Sequence, residues 1–219
     1  MSETKRGEEL LISEILKLSK DPKIKNLVDQ RVSEFLEIHE ADSRKWFIEL
    51  VYCILTANSS AEKGQLCVDG LDRCDYILNG SLSEVLNELQ RFGHRFAAKR
   101  AEYIIEARKY SKNLKEIIQS FKTSSEARVW LSENVKGLGF KESSHFLRNV
   151  GYLDLAILDR HVISNMVEFG LIMPEKRSLT KKRYLEHEKI LKRVAERVKM
   201  HVGELDLYLW YRKTGKVLK

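Results

Sequence analysis

At 219 residues the chain can bury one sizeable hydrophobic core or two small ones. Only two prolines, Pro22 and Pro174, stand against a strand-and-turn architecture, and 39 Lys plus Arg against 32 Asp plus Glu give a mixed but basic surface, net charge +7, that suits a polyanionic partner. Three cysteines, Cys53, Cys67 and Cys74, lack C-x-x-C spacing, which argues against a disulfide framework, a zinc site or an iron–sulfur cluster; each stands in an apolar context that suits a buried free thiol in a reducing interior.

The predicted elements are helices from the start. The opening MSETKRGEELLISEIL is charged and then amphipathic, without the apolar core or small-residue cleavage site of a signal peptide, and no apolar run reaches about 18 residues, so nothing is expected to span a membrane. Leu10, Leu11, Ile15 and Leu18 keep a helical period, and Asp21-Pro22 supplies a cap and a first-turn proline for a second helix bearing Ile24, Leu27, Val28, Val32, Phe35 and Leu36. From Trp46 to Leu55 the pattern is apolar nearly all round, which marks a central buried helix ending at Thr56-Ala57-Asn58-Ser59-Ser60. On its own that polar stop reads as a helix end and the cap of the next helix, expected over Glu62–Leu78.

Ser81 and Glu84 form a capping box ahead of Leu82, Val85, Leu86 and Leu89. Between Arg91 and Lys112 seven Lys or Arg stand against two Glu, with Phe92 and Phe96 interleaved. Such a run is ordinarily a solvated face, yet the basic helix start around Arg95 also suits phosphate contact. Helices are expected over Leu114–Phe121 and Ala127–Val135, then from Asp159 to Gly170, through Tyr184–Val198 after the loop Met173–Ser178, and over Glu204–Arg212. No repeat, low-complexity tract or alternating strand pattern occurs, so the fold class is all-α.

The organising stretch is NVKGLGFKESSHFLRNVGYLDLAILDRH, Asn134 to His161. An amphipathic run ends at Val135, Gly137 and Gly139 bend the backbone, and Lys141-Glu142-Ser143-Ser144 opens a second helix: a helix-hairpin-helix. Glycines at the bend allow close approach to another backbone and leave amides at the second helix start for a phosphate, so the expected ligand is a nucleic-acid backbone. Lys141 is an amine at that helix start, and Asp159, eighteen residues on, a carboxylate at the next; together they make a plausible nucleophile and partner.

At this point the sequence resembles the helix-hairpin-helix DNA glycosylases, whose pattern is G-x-G-x-K followed by D-x-H. Within them KGLGFKESSHFLRNVGY, AILDRH, HRFAAKRAEYI and the terminal YLWYRKTGKVLK resemble the archaeal-type 8-oxoguanine DNA glycosylase/AP lyases over most of the chain from Trp46 to Lys219. The resemblance implies two helical domains, 1–45 with 150–219 and 46–149, with DNA and a reactive pocket at their junction, and no iron–sulfur cluster, since the C-terminal four-cysteine motif of endonuclease-III-like relatives is missing. It implies Lys141 as the Schiff-base nucleophile and Asp159 as the catalytic carboxylate, expected to stay ionised at its helix start. It further implies that Gly137, Gly139, His161, Asn58 and Arg95 bind DNA, Asn58 entering the stack where the target nucleotide has left. By the same resemblance Lys219 is expected to line the base pocket, and Trp210 to pack the last helix or stack on the base. No organic cofactor or metal is implied for activity. The expected partner is double-stranded DNA with 8-oxoguanine or abasic sites, bound by a monomer in the cytoplasm. The pocket's lesion preference is not read from the hairpin, so a glycosylase for another lesion, or a non-enzymatic DNA-binding hairpin, stays as the alternative.

Overall fold

The computed structural model describes residues 3–174 and 179–219; of the expected loop Met173–Ser178, residues 175–178 lie outside the described residues. Among the described residues the chain is α-helical, with one short 3₁₀ turn at Arg108–Tyr110 and no strand, in keeping with the all-α expectation. It divides into two compact units, Met1–Phe35 with Gly151–Lys219, and Leu36–Val150. The first division thus falls earlier than residue 45. Residues 36–45 belong with the Leu36–Val150 unit because Trp46 Nε1 donates to Ile38 O (2.8 Å), His39 Nδ1 meets Val150 O (2.9 Å) and Lys115 Nζ donates to Ala41 O (2.8 Å). No helix among the described residues is long and apolar enough to cross a membrane.

Helices α1 (Glu3–Lys20) and α2 (Pro22–Glu40) meet where Asp21 Oδ1 accepts from Lys23 N at 2.9 Å and Ile24 N at 3.3 Å, the cap its sequence announces. Helix α3 (Ser43–Thr56), capped by Asp42, is the axis of the Leu36–Val150 unit: Trp46, Phe47, Leu50, Val51, Ile54 and Leu55 are wholly enclosed. Truncating one of its aromatics would cost about 3–5 kcal/mol, the lost transfer energy plus a cavity. Against α3 pack α4 (Ala61–Arg73), α6 (Ala97–Ala107), α7 (Leu114–Gln119) and α9 (Phe140–Asn149), with α5 (Leu82–Arg91) on α4 and α6, and α8 (Ser124–Asn134) on α9.

Two expectations change here. The helix expected to run to Leu78 stops at Arg73: Asp75 takes a positive φ of 56°, and the guanidinium of Arg108 collects the carbonyls of Tyr76 (2.6 Å), Ile77 (2.9 Å) and Gly80 (2.6 Å), holding the chain out of helix. Cys74 falls in that turn and is exposed, whereas Cys53 and Cys67 are buried as expected. Elsewhere the local signals hold. The Ser81–Glu84 capping box is formed, and a second box, Thr123 with Glu126, starts α8 three residues before the expected Ala127.

In the other unit α10 (Arg160–Glu168) packs on α12 (Val202–Thr214), while α1 packs on α11 (Lys181–Val198) and α12. Gly170, φ 65°, ends α10 as its position suggests, with Leu171 N donating back to Met166 O at 2.8 Å. Arg212 of α12 donates to Asn165 Oδ1 (2.8 Å) and pairs with Glu168, whose carboxyl is held down at about 2 by hydrogen bonds from Arg212 and Lys213.

Candidate functional site

The hairpin is α8, the turn Val135–Gly139 and α9. Its two glycines do different things. Gly137 has φ 89°, a left-handed conformation, and a Cβ there would meet Tyr103 Cδ2 at 2.6 Å and Arg100 Nη1 at 3.0 Å, so only glycine seats the turn on α6. Gly139 is extended (φ −88°, ψ −170°), exposed, and a Cβ on it would approach only Glu142 Oε2, at 3.2 Å. Its backbone does not demand glycine. What its bareness provides is an unobstructed, uncapped helix start, since no side chain caps α9.

Lys141 is the second residue of α9, half-buried, with Nζ 3.0 Å from Glu142 Oε1. The two hairpin arms are locked behind it by Arg128, buried under the ring of Phe140 (4.5 Å to the centroid) and donating to Ser144 Oγ at 3.2 Å. Cation–π contact and hydrogen bond together hold the buried guanidinium in place between the two arms.

Asn58 stands exposed at φ 59° just past the end of α3. A residue holding a left-handed conformation there turns the chain sharply, and asparagine tolerates it better than most. The turn is fixed from behind: Arg100 Nη2 donates to Ala57 O at 2.7 Å, and its buried guanidinium, whose pKa burial lowers, is the same group that backs Gly137. Arg95 and Phe96 are exposed, the Arg95 guanidinium 5.0 Å over the Phe96 ring. His94 pins them. Its Nε2–H donates to Leu55 O (2.8 Å) and its Nδ1 accepts from Phe96 N (3.2 Å), a neutral tautomer matched by a pKa that burial pushes down. Asn58, Arg95, Gly137, Gly139 and Lys141 all belong to the Leu36–Val150 unit.

Asp159, His161, Trp210 and Lys219 belong to the other unit. Asp159 caps α10: Oδ1 accepts from His161 N and Val162 N, both at 2.8 Å. Its second oxygen, Oδ2, accepts from Trp210 Nε1 at 2.7 Å, and the His161 ring meets the Trp210 ring edge-on with centroids 4.9 Å apart. The segment before the cap, Ala156–Leu158, is in neither helix nor strand, and two side chains of α11 replace the missing ladder. Glu188 Oε1 accepts from Ala156 N (2.9 Å), while Tyr184 Oη accepts from Leu158 N (3.3 Å) and donates to Ala156 O (2.8 Å). The cap is therefore aimed by residues some 25 to 50 positions away: Tyr184 and Glu188, which the sequence does not single out, and Trp210, expected to pack the last helix or stack on the base. Only the Tyr184–Glu188 spacing of one helical turn gives a signal. Lys219 ends the chain half-buried. Among the described residues no group of three or more His, Cys, Asp or Glu is placed to hold a metal ion.

With this geometry in place, comparison with known proteins is specific. A sequence model of the 8-oxoguanine DNA glycosylase family matches residues 28–200. The 8-oxoguanine DNA glycosylase/AP lyase of Methanocaldococcus jannaschii is 45% identical over 210 residues, covering 96% of this chain and 100% of that protein. The protein of the same name from Korarchaeum cryptofilum is 42% identical over 97% of this chain and 100% of its own. Among solved structures, the M. jannaschii glycosylase/lyase in complex with a 15mer DNA containing 8-oxoguanine superposes with a TM-score of 0.91 at 43% identity, covering 96% of this chain and 100% of that one. The 8-oxoguanine DNA glycosylase of Thermotoga maritima does so with a TM-score of 0.89 at 41% identity, covering 97% and 100%.

Proposed function

Because the chain belongs to the 8-oxoguanine DNA glycosylase family, we propose that it is a base-excision repair enzyme that takes 8-oxoguanine out of duplex DNA, severs the base from its sugar and nicks the strand at the resulting site. The observation that carries this reading is Lys141, a half-buried amine in the first turn of a helix that no side chain caps. A base stacked in a duplex cannot be reached, so it must first be extruded. In its neutral form the Lys141 amine attacks C1′; the N–C1′ bond forms as the bond to the base breaks, and the electron pair departs with the base, which takes up a proton. The C1′–O4′ bond then breaks, O4′ taking up a proton, and leaves an iminium, which draws electrons from C2′ so that a C2′ proton is lost and the C3′–O bond breaks, releasing the downstream strand with a 5′-phosphate. Glu142, with Oε1 3.0 Å from Lys141 Nζ, is placed to accept the proton the amine must shed. The reading gives Asp159 the task of balancing cationic character on the sugar or accepting that proton, and its two oxygens, held by three N–H donors, suit a fixed charge.

In the same reading the amides at the start of α9 take a DNA phosphate. His161 touches the phosphate of the extruded nucleotide, Asn58 fills the gap in the stack, Arg95 contacts the backbone and Lys219 lines the base pocket. The enzyme works as a monomer on DNA at the nucleoid, in the cytoplasm. The test is borohydride reduction during incubation with a duplex carrying one 8-oxoguanine. The protein should become covalently linked to the DNA, and Lys141→Gln should not; trapping of that variant at the wild-type yield would overturn the assignment.

A further inference from the structure

The indole of Trp210 makes a contact that neither core packing nor base stacking requires. Its Nε1–H donates to Asp159 Oδ2 at 2.7 Å, while Oδ1 already accepts the amides of His161 and Val162 at 2.8 Å each. A helix cap needs one acceptor oxygen. A half-buried indole needs any acceptor, and a backbone carbonyl suffices, as Ile38 O does for Trp46 Nε1 at 2.8 Å. Here it has instead taken the remaining oxygen of Asp159, the carboxylate to which the proposed chemistry gives the charge on the sugar. Three donors on two oxygens fix both the position and the rotation of the carboxylate. The ring is itself held: α12 packs on α10, the His161 ring lies edge-on 4.9 Å away, and Arg212, two residues along, donates to Asn165 Oδ1 at 2.8 Å.

We infer that Trp210 is a positioning residue of base excision that acts through Asp159, its indole N–H holding Oδ2 in a single orientation. The inference rests on the proposed role of Asp159. It also predicts that an amide is a poor substitute there. Asparagine can offer its oxygen to the two α10 amides, but its NH2 then faces the indole N–H, donor against donor; turned round, it keeps the indole and loses the cap.

Trp210→Phe keeps an aromatic ring and removes the N–H. Single-turnover excision of 8-oxoguanine should fall at least about ten-fold, as expected for a lost hydrogen bond to a charged group, with the Kd for the lesion duplex within about two-fold of wild type. Against the residual rate of Asp159→Ala, the same change should cost less than about two-fold, because no acceptor is left there for the indole. Wild-type excision by Trp210→Phe, or an equal loss in both backgrounds, would overturn the inference, as would a loss of rate matched by an equal loss of affinity, the mark of a stacking role. Normal excision by Asp159→Asn would instead remove the reading on which it rests. A readout on the intact tryptophan guards against a folding defect: the Trp210 indole proton resonance should move upfield in Asp159→Ala while that of Trp46 stays, and a Trp210 resonance that does not move would overturn the contact itself.

Discussion

Two helix starts carry the proposed chemistry, and they are built in opposite ways. At α9 the cap position is a bare, exposed glycine, and no side chain answers the first amides. At α10 the cap is Asp159, whose oxygens accept from two amides and an indole. Both starts carry the same partial positive charge. One spends it on an internal anion and gains a fixed carboxylate; the other, in the proposed reading, leaves it for an external one and gives up the roughly 1 kcal/mol that a cap would contribute. A missing cap is thus as informative as a present one, provided the backbone would have tolerated it, and the φ of −88° at Gly139 says that it would.

The largest expected effect lies at the open start. Lys141→Gln should abolish strand cleavage and borohydride trapping, with excision down on the order of 10³-fold or more, while lesion DNA is still bound. At the closed start the charge can be separated from the cap: Asp159→Ser retains a capping oxygen without a carboxylate. Its excision rate should fall on the order of 10²-fold, with a melting temperature nearer to wild type than that of Asp159→Ala. If Asp159→Ser excised normally, the carboxylate would be only a cap.

The two hairpin glycines should behave unlike each other. Gly137→Ala meets both a left-handed φ and the Tyr103 ring, and denaturant titration should show a loss of about 1–3 kcal/mol. Gly139→Ser converts the open start into a capped one. It should leave stability unchanged or slightly raised, but weaken binding to undamaged duplex several-fold and lower the slope of log affinity against log salt, by about one phosphate contact. Unaltered DNA affinity in Gly139→Ser would break the comparison.

The smallest effect is acid sensitivity away from both starts. Burial holds the pKa of His94 below its ordinary value, so the folded state resists protonation more than the unfolded chain does. The stability this contributes is complete above about pH 6.5 and declines as the pH falls from there toward the lower folded value. Melting temperatures between pH 7.5 and 5.5 should fall less steeply for His94→Gln than for wild type, even though the variant starts lower.

The features legible in the sequence are those encoded locally. The Ser81–Glu84 capping box, Asp21-Pro22, the G-x-G-x-K turn and Gly170 each involve residues within about four positions, and each stands where expected. Two of the misses share a long-range cause. The helix from Ala61 stops at Arg73 because a guanidinium from Arg108 claims three carbonyls beyond it, and nothing in Cys74–Gly80 announces that. Asp159 is legible as a cap; its hold by Trp210, 51 residues on, is not. In sequence Gly139 looks as much a conformational necessity as Gly137, since sequence shows the residue and not its φ.

The turn after α4 also carries a practical gift for kinetics. Of the three thiols in the chain, Cys53 and Cys67 are buried away from reagents, and burial pushes the pKa of the Cys67 thiol up to about 11. Cys74 alone is exposed. A maleimide fluorophore should therefore attach at one site in the natural sequence, on a segment braced by Arg108 and 16 positions from Asn58 along the chain. Lesion encounter, nucleotide extrusion and product release could then be followed by stopped-flow fluorescence in the unmutated protein, each step timed separately from the chemistry.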